Sequence, residues 1–248
     1  MSKPVTTQPG EKELYTSSMA TPLGSPPGLE HLAQMGEIQL NQKADTLDVL
    51  TGASNKYSIE DKNGQRVYFA QEESECCNRL FCKSNRGFTM HITTNDGKEV
   101  IRCTRKFKFC AGCCWCADSS HGGWEMSVEA PVGTVIGYIR QQFSKWKTHL
   151  TLYDANHVKL YQIWSKCCPM FCVCCISDIN FYVFDSKDRN KLQPRIYKKW
   201  DGCVREYCNR TDLLVCEFPG MNVKEKTLLI CTALMLDVMV FDLQKSNK

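Results

Sequence analysis

The sequence predicts a mainly β fold, a barrel or sandwich of antiparallel hairpins with one apolar helix at its C-terminal end. Three observations predict it. Short segments rich in β-branched and aromatic residues alternate with Asn/Asp/Gly turns at regular spacing. Continuous helical periodicity is scarce before residue 223. Thr227 to Phe241 is apolar on nearly every side, the mark of a helix buried either in a protein core or in a bilayer.

Residues 1–27 hold Pro, Ser and Thr without apolar periodicity. They read as a disordered tail that cannot bury enough surface to offset its ordering entropy. The folded domain is placed at 28–244 and a polar tail at 245–248. Leu29, Leu32, Ala33, Ile38 and Leu40 suit a short helical turn followed by an extended piece. Lys56–Asp61 and Gln65–Ala70 flank Asn63-Gly64, the strongest hairpin signal in the chain. Phe88–Thr93 and Glu99–Cys103 flank Asn95-Asp96-Gly97, and Thr148–Leu152 and Val158–Tyr161 flank Asp154-Ala155-Asn156. Asp178–Phe184 is a further strand.

The helix is placed at Glu225–Leu243. Leu228, Leu229, Ile230, Leu234, Leu236, Val238, Val240 and Phe241 are its apolar surface. The apolar run is about 15 residues long, whereas a membrane span needs roughly 20. Asp237 within it is costly in hydrocarbon. Both facts favour a core helix inside a barrel; a membrane span is the alternative.

The chain has 248 residues and a net charge of +4. That charge permits contact with an anionic membrane surface and does not demand nucleic acid. Residues 1–25 are polar, without the apolar run of a signal peptide. The expected compartment is therefore reducing cytosol, where structural disulfides are rare. Seventeen cysteines are an odd number, which rules out complete pairing within one chain. They cluster at Cys76, Cys77 and Cys82, at Cys110, Cys113, Cys114 and Cys116, and at Cys167 to Cys175. Zinc would require thiolate pairs held tetrahedrally. Cys110 and Cys113 offer one such pair, but a second at matching spacing is missing. Acylation has little geometric demand and suits thiols flanked by Arg105, Lys106, Phe107, Lys108 and Phe109. Acylation is the leading reading for Cys110, Cys113, Cys114 and Cys116. Buried or reactive thiols lead for the other two clusters.

No GxSxG, HExxH, P-loop or GxGxxG pattern is present, and the five histidines are scattered. No covalent catalysis is expected. The basic stretch Pro194 to Trp200 reads as a solvated strand or loop; the sharper readings are importin recognition or headgroup contact.

Several motifs carry a family resemblance. They are Pro26 to Leu32, Val49 to Gly52, Gly64 to Ala70, Glu75 to Arg79, the Cys110–Cys116 cluster, Glu129 to Gly133, Asp178 to Phe181, Lys198 to Gly202 and Glu217 to Pro219. From Gly28 to about Gln244 the chain resembles the phospholipid scramblases. The resemblance implies a tubby-like fold, a closed antiparallel β-barrel around the hydrophobic C-terminal helix. It implies ATP-independent, bidirectional movement of phospholipids between leaflets, triggered by calcium. It also implies palmitoylation of the four cysteines and a plasma-membrane location with the barrel in the cytosol. Arg195, Lys198, Lys199 and Trp200 match a noncanonical nuclear-import stretch, implying an importin partner and a nuclear location when not acylated. Residues 1–27 are the expected tail for protein partners. The alternative is an acylated adaptor module without lipid transport. The calcium segment departs from the family. Arg210 replaces an acid, Asn222 falls in the later acidic part, and Asp212 and Glu217 are the carboxylates left. Two carboxylates beside an arginine make a poor site for an ion that takes six to eight oxygens, so calcium is expected to bind weakly or not at all.

Overall fold

The computed structural model describes residues 25–43, 54–74, 85–108, 115, 117–119, 122–145, 147–165, 178–188, 193–199 and 213–241. A short helix, α1 (Glu30–Gln34), leads into β1 (Glu37–Lys43). Hairpins follow: β2 (Lys56–Glu60) with β3 (Arg66–Glu73), β4 (Phe88–Thr94) with β5 (Glu99–Arg105), and β6 (Glu125–Glu129) with β7 (Val135–Gln141). Next come β8 (His149–Asp154) with β9 (Lys159–Ser165), and β10 (Ile179–Asp185) with β11 (Arg195–Lys198), then β12 (Leu213–Glu217). Each strand pairs with its sequence neighbours, and β1 pairs with both β2 and β12, so the sheet closes. Closure leaves no edge strand for another chain to extend. Gly64, at φ +77, provides the left-handed residue that the β2–β3 turn requires.

Alternation sorts side chains between lumen and exterior. In β4, Phe88, Met90 and Ile92 are buried and the residues between them are not. A barrel of about eight strands is filled by its own side chains, and wider ones leave a lumen. Here the lumen is filled by α2 (Val223–Leu236), which continues as a π-helical turn, Asp237–Phe241. Every residue from Lys226 to Phe241 is buried, including all eight apolar positions expected to form the helix surface. Wall contacts come from several sides. Phe181 meets Phe241 edge-on at 6.3 Å, and Cys103 Sγ lies 2.7 Å from Cys231 Sγ. On β7, Gly137 lets the wall close onto the helix: a Cβ there would stand 2.2 Å from the Tyr153 carbonyl oxygen and 3.1 Å from the Leu228 methyls. The two placements left open by the sequence are thereby decided: the helix is the core of the barrel. Among the described residues, no helix is long and apolar enough to cross a membrane.

Two boundaries differ from expectation. The helix starts at Val223 rather than Glu225, because Asn222 and Glu225 form a capping box. The Asn222 side chain accepts from the Glu225 N–H, and the Glu225 carboxylate accepts from the Asn222 N–H, both at 3.0 Å. The segment from Leu213 to Glu217, which the sequence marks only as part of the calcium segment, is strand β12, paired on both sides. Its apolar residues Leu214 and Cys216 face the core, and that burial outweighs the loop signal of the acids around it.

Candidate membrane-facing site

Antiparallel order puts the short turns β2–β3, β4–β5, β6–β7 and β8–β9 at one mouth, together with α1 and the start of α2. A cavity of about 1090 Å³ opens there, lined by charges of both signs such as Glu37, Asp61, Arg66 and Lys98. Lys226, in the first turns of α2, closes this mouth. Its Nζ donates to the carbonyls of Leu32, Ala33 and Met35 at 2.9, 3.0 and 2.7 Å. Burial pushes its pKa down.

The opposite mouth holds the end of the helix and the longer connections. Cys110, Cys113, Cys114 and Cys116 lie outside the described residues, as do the clusters beginning at Cys76 and Cys167. The strands that flank all three clusters end at this mouth: β3 and β4, β5 and β6, β9 and β10. Cys103, Cys216 and Cys231 are instead buried in the core. Burial, the largest cause, raises the Cys103 and Cys216 thiols, which keeps them protonated and inert.

Near the same mouth, Glu72 and Arg86 form a buried pair, with Arg86 Nε and Nη2 donating to Glu72 oxygens at 2.6 and 2.8 Å. Asn55 and Ser74 also donate to this carboxylate. Burial raises the Glu72 pKa, but the bonds from Arg86, Ser74 and Asn55 outweigh it and leave the group below its ordinary value. Sequence reasoning missed this pair, whose partners lie 14 residues apart, one in β3 and one in the connection that follows it. Asp237 had a legible signal, a lone acid in an apolar run, but Tyr57, whose hydroxyl donates to it at 2.6 Å, did not.

The basic stretch is strand β11. Arg195 grips Glu217 with two bonds of 2.6 and 2.7 Å. Lys198 points inward, its Nζ 4.6 Å from the Phe241 ring centroid at the end of the helix. Lys199 is exposed, and Trp200 lies outside the described residues. The ladder positions from Arg195 to Lys198 are taken by β10 and β12.

Of the expected calcium residues, the two that are described have other partners. Glu217 is held by Arg195, Asn222 caps α2, and Asp212 lies outside the described residues. Among the described residues no three His, Cys, Asp or Glu side chains gather as a metal site would.

The architecture defines a β-barrel closed around its own C-terminal helix, with the strand ends that flank the cysteine clusters gathered at one mouth. The family model named Scramblase matches residues 15–243. The chain is 35% identical over 226 residues to phospholipid scramblase 1 of Mus musculus, covering 89% of this chain and 66% of that protein. It is 33% identical over 252 residues to phospholipid scramblase 2 of Bos taurus, covering 99% and 82%. With phospholipid scramblase family member 5 of Homo sapiens it shares 32% over 249 residues, covering 97% and 89%. The chain thus spans just under two thirds of the length of the mouse relative. No solved structure gives a significant match. This chain belongs to the scramblase family.

Proposed function

We propose that this chain acts on membrane phospholipids as a peripheral scramblase. Acyl chains on Cys110, Cys113, Cys114 and Cys116 hold it at the cytosolic leaflet, and it eases ATP-independent, bidirectional passage of phospholipids between leaflets. The observation that carries the reading is family membership combined with a helix consumed by the barrel. No covalent chemistry is required. The barrier is the cost of drawing a charged headgroup through hydrocarbon, which local thinning and water defects reduce. With α2 buried, that easing comes from the outer surface and connections of one mouth, not from a helix lining a pore. Calcium binds weakly or not at all in this reading, so activity is constitutive or otherwise controlled. The location is the plasma membrane, with the barrel in the cytosol.

The test is purified acylated protein in vesicles carrying a fluorescent lipid in both leaflets. An impermeant reductant should bleach well past the outer half. Bleaching that stops at the outer leaflet while the protein stays vesicle-bound would overturn scrambling and support a second reading. In that reading the chain is an acylated adaptor that recruits partners through residues 1–27 and enters the nucleus when not acylated. The burial of α2 favours it. Import through Arg195, Lys198, Lys199 and Trp200 would then require an importin to read side chains, since β11 is paired on both edges.

A further inference from the structure

An aromatic surface begins at the cysteine-flanked mouth and climbs one outer wall. Trp115 is 50% exposed and Phe143 43%, and their rings meet edge-on at 6.3 Å. The Phe143 carbonyl lies 3.3 Å from His149 Nδ1. The His149 ring stacks on Trp164, with centroids 3.5 Å apart. Trp164 stands opposite Tyr182 in the β9–β10 ladder. Tyr182 and Phe184, two apart on one strand, share the outward face and are both exposed. The run is therefore continuous from mouth to wall. Burial lowers the pKa of His149, so at neutral pH it joins the run as an uncharged ring.

Charge flanks this surface on the mouth side. Lys106, Lys145 and Lys147 are exposed there. Of the described carboxylates nearby, Glu125 is paired with Arg140 and Glu72 is buried with Arg86; Asp118, which accepts from the Phe143 N–H, and Asp178, just before β10, are exposed. The opposite mouth presents the acids Glu37, Asp61 and Asp96 among its bases. Among the described residues, the aromatic rings at the cysteine-flanked mouth have three exposed lysines beside them.

Trp and Tyr rings, apolar in body and polar at the tip, settle at the headgroup level of a bilayer. Lysines beside them reach anionic headgroups, each contributing about fivefold to binding near such a surface. We infer that this aromatic surface, led by Trp115 and Phe143 and framed by Lys145 and Lys147, is an interfacial docking site for an anionic phospholipid bilayer. It engages the bilayer without acylation and sets the tilt of the barrel, with β9 and β10 toward the headgroups. The inference rests on the membrane-associated reading above and deepens it. Acyl chains supply retention, and the aromatic surface supplies orientation.

The test uses full-length, unacylated protein and vesicles of phosphatidylcholine, alone or with about a third phosphatidylserine, the lysines supplying the charge preference. The protein should float with the anionic vesicles and much less with the neutral ones. Trp115→Ala with Phe143→Ala should weaken that binding tenfold or more. Lys145→Glu with Lys147→Glu should abolish the preference for phosphatidylserine. All four positions are exposed, and an unchanged thermal melt shows that the variants are folded. Bromine on the upper acyl chain should quench Trp fluorescence on binding. With Trp146 and Trp200 already changed to Phe, that quenching should vanish on adding Trp115→Phe and Trp164→Phe, although Trp124, 5% exposed, remains. Unacylated protein that ignores anionic vesicles, or aromatic variants that bind as tightly as the parent, would overturn the inference. So would a lipid-free dimer in sedimentation that the aromatic substitutions dissolve, since the occupant would then be a second copy. Failure to scramble with docking intact counts against the proposed activity alone. Loss of docking with scrambling intact counts against this surface alone.

Discussion

Tyr57 donates its phenolic hydrogen to Asp237, Oη to Oδ2, at 2.6 Å inside the barrel lumen. This bond joins strand β2 to the π-helical turn across 180 residues of chain. It gives the acid in the apolar helix a partner that hydrocarbon could not provide. Removing a partner from a buried carboxylate costs about 1–3 kcal/mol or more. Tyr57→Phe should lower unfolding stability by that amount in urea titrations. In an Asp237→Asn background the same change should cost less, because a neutral acceptor loses less. Equal costs in both backgrounds would show that the charge of Asp237 does not matter to the bond.

Leu234 is fully enclosed in the lumen. Leu234→Ala should cost about 2–5 kcal/mol, the range for a buried leucine whose cavity only partly collapses. Gly137→Ala drives a methyl toward the Tyr153 carbonyl and Leu228 and should cost about 1–3 kcal/mol by overpacking. Both are measured by chemical denaturation of detergent-free protein. A helix that left the barrel for the bilayer would make both changes silent.

The Glu72–Arg86 pair sets an acid limit. Folding lowers the Glu72 pKa below its ordinary 4.5. The contribution is therefore complete above that value and is lost as pH falls through the folded-state pKa. Stability plotted against pH should decline below about 4.5. Arg86→Met should cost about 3–5 kcal/mol at neutral pH, because it leaves a buried carboxylate without its cation. In that variant the acid slope should reverse, since protonation then relieves the buried charge. A parallel decline in both proteins would contradict the assignment.

Changing Cys110, Cys113, Cys114 and Cys116 together to Ala should move most of the protein from the membrane fraction to the soluble one. A single acyl chain gives marginal, reversible binding, and two give a stable anchor. Fractionation with metabolic labelling by a palmitate analogue reads both quantities. Stoichiometric zinc on the purified protein, lost in the variant, would favour a metal role for these thiols.

Calcium should bind in the millimolar range or not at all, the expectation for a site short of carboxylates. Calorimetry decides it: a micromolar dissociation constant that Asp212→Ala removes would refute the expectation. Asn222 separates capping from metal binding. Asn222→Ala should cost about 0.5–2 kcal/mol through the lost N-cap, whereas Asn222→Asp keeps the cap and should be near neutral.

The hairpins were legible because their signals are local. Asn63-Gly64 and Asn95-Asp96-Gly97 mark turns by their own backbone preferences, and the alternation around them marks the strands. Strand β12 was not legible. The acids around Leu213–Glu217 suggest a loop, and only pairing with β1 and β11 makes the segment extended. Glu217 looked like a candidate ligand until Arg195 stood opposite it in the ladder. The grouping of the cysteine-flanking strand ends at one mouth is likewise a product of antiparallel order, invisible in the spacing of the thiols.

By itself the sequence determined the class of fold, the membership of the family and the existence of one apolar helix. Period-two alternation, turn chemistry and hydrophobic runs are properties of neighbouring residues. Only the tertiary structure decided where that helix goes. An apolar run of this length has the same local pattern in a bilayer and in a protein lumen. The choice is made by surfaces distant in the chain: Gly137 admitting Leu228, Phe181 meeting Phe241, and Tyr57 satisfying Asp237. A buried carboxylate is tolerable only where another part of the chain brings it a donor, and closure of the barrel brings Tyr57 to that place.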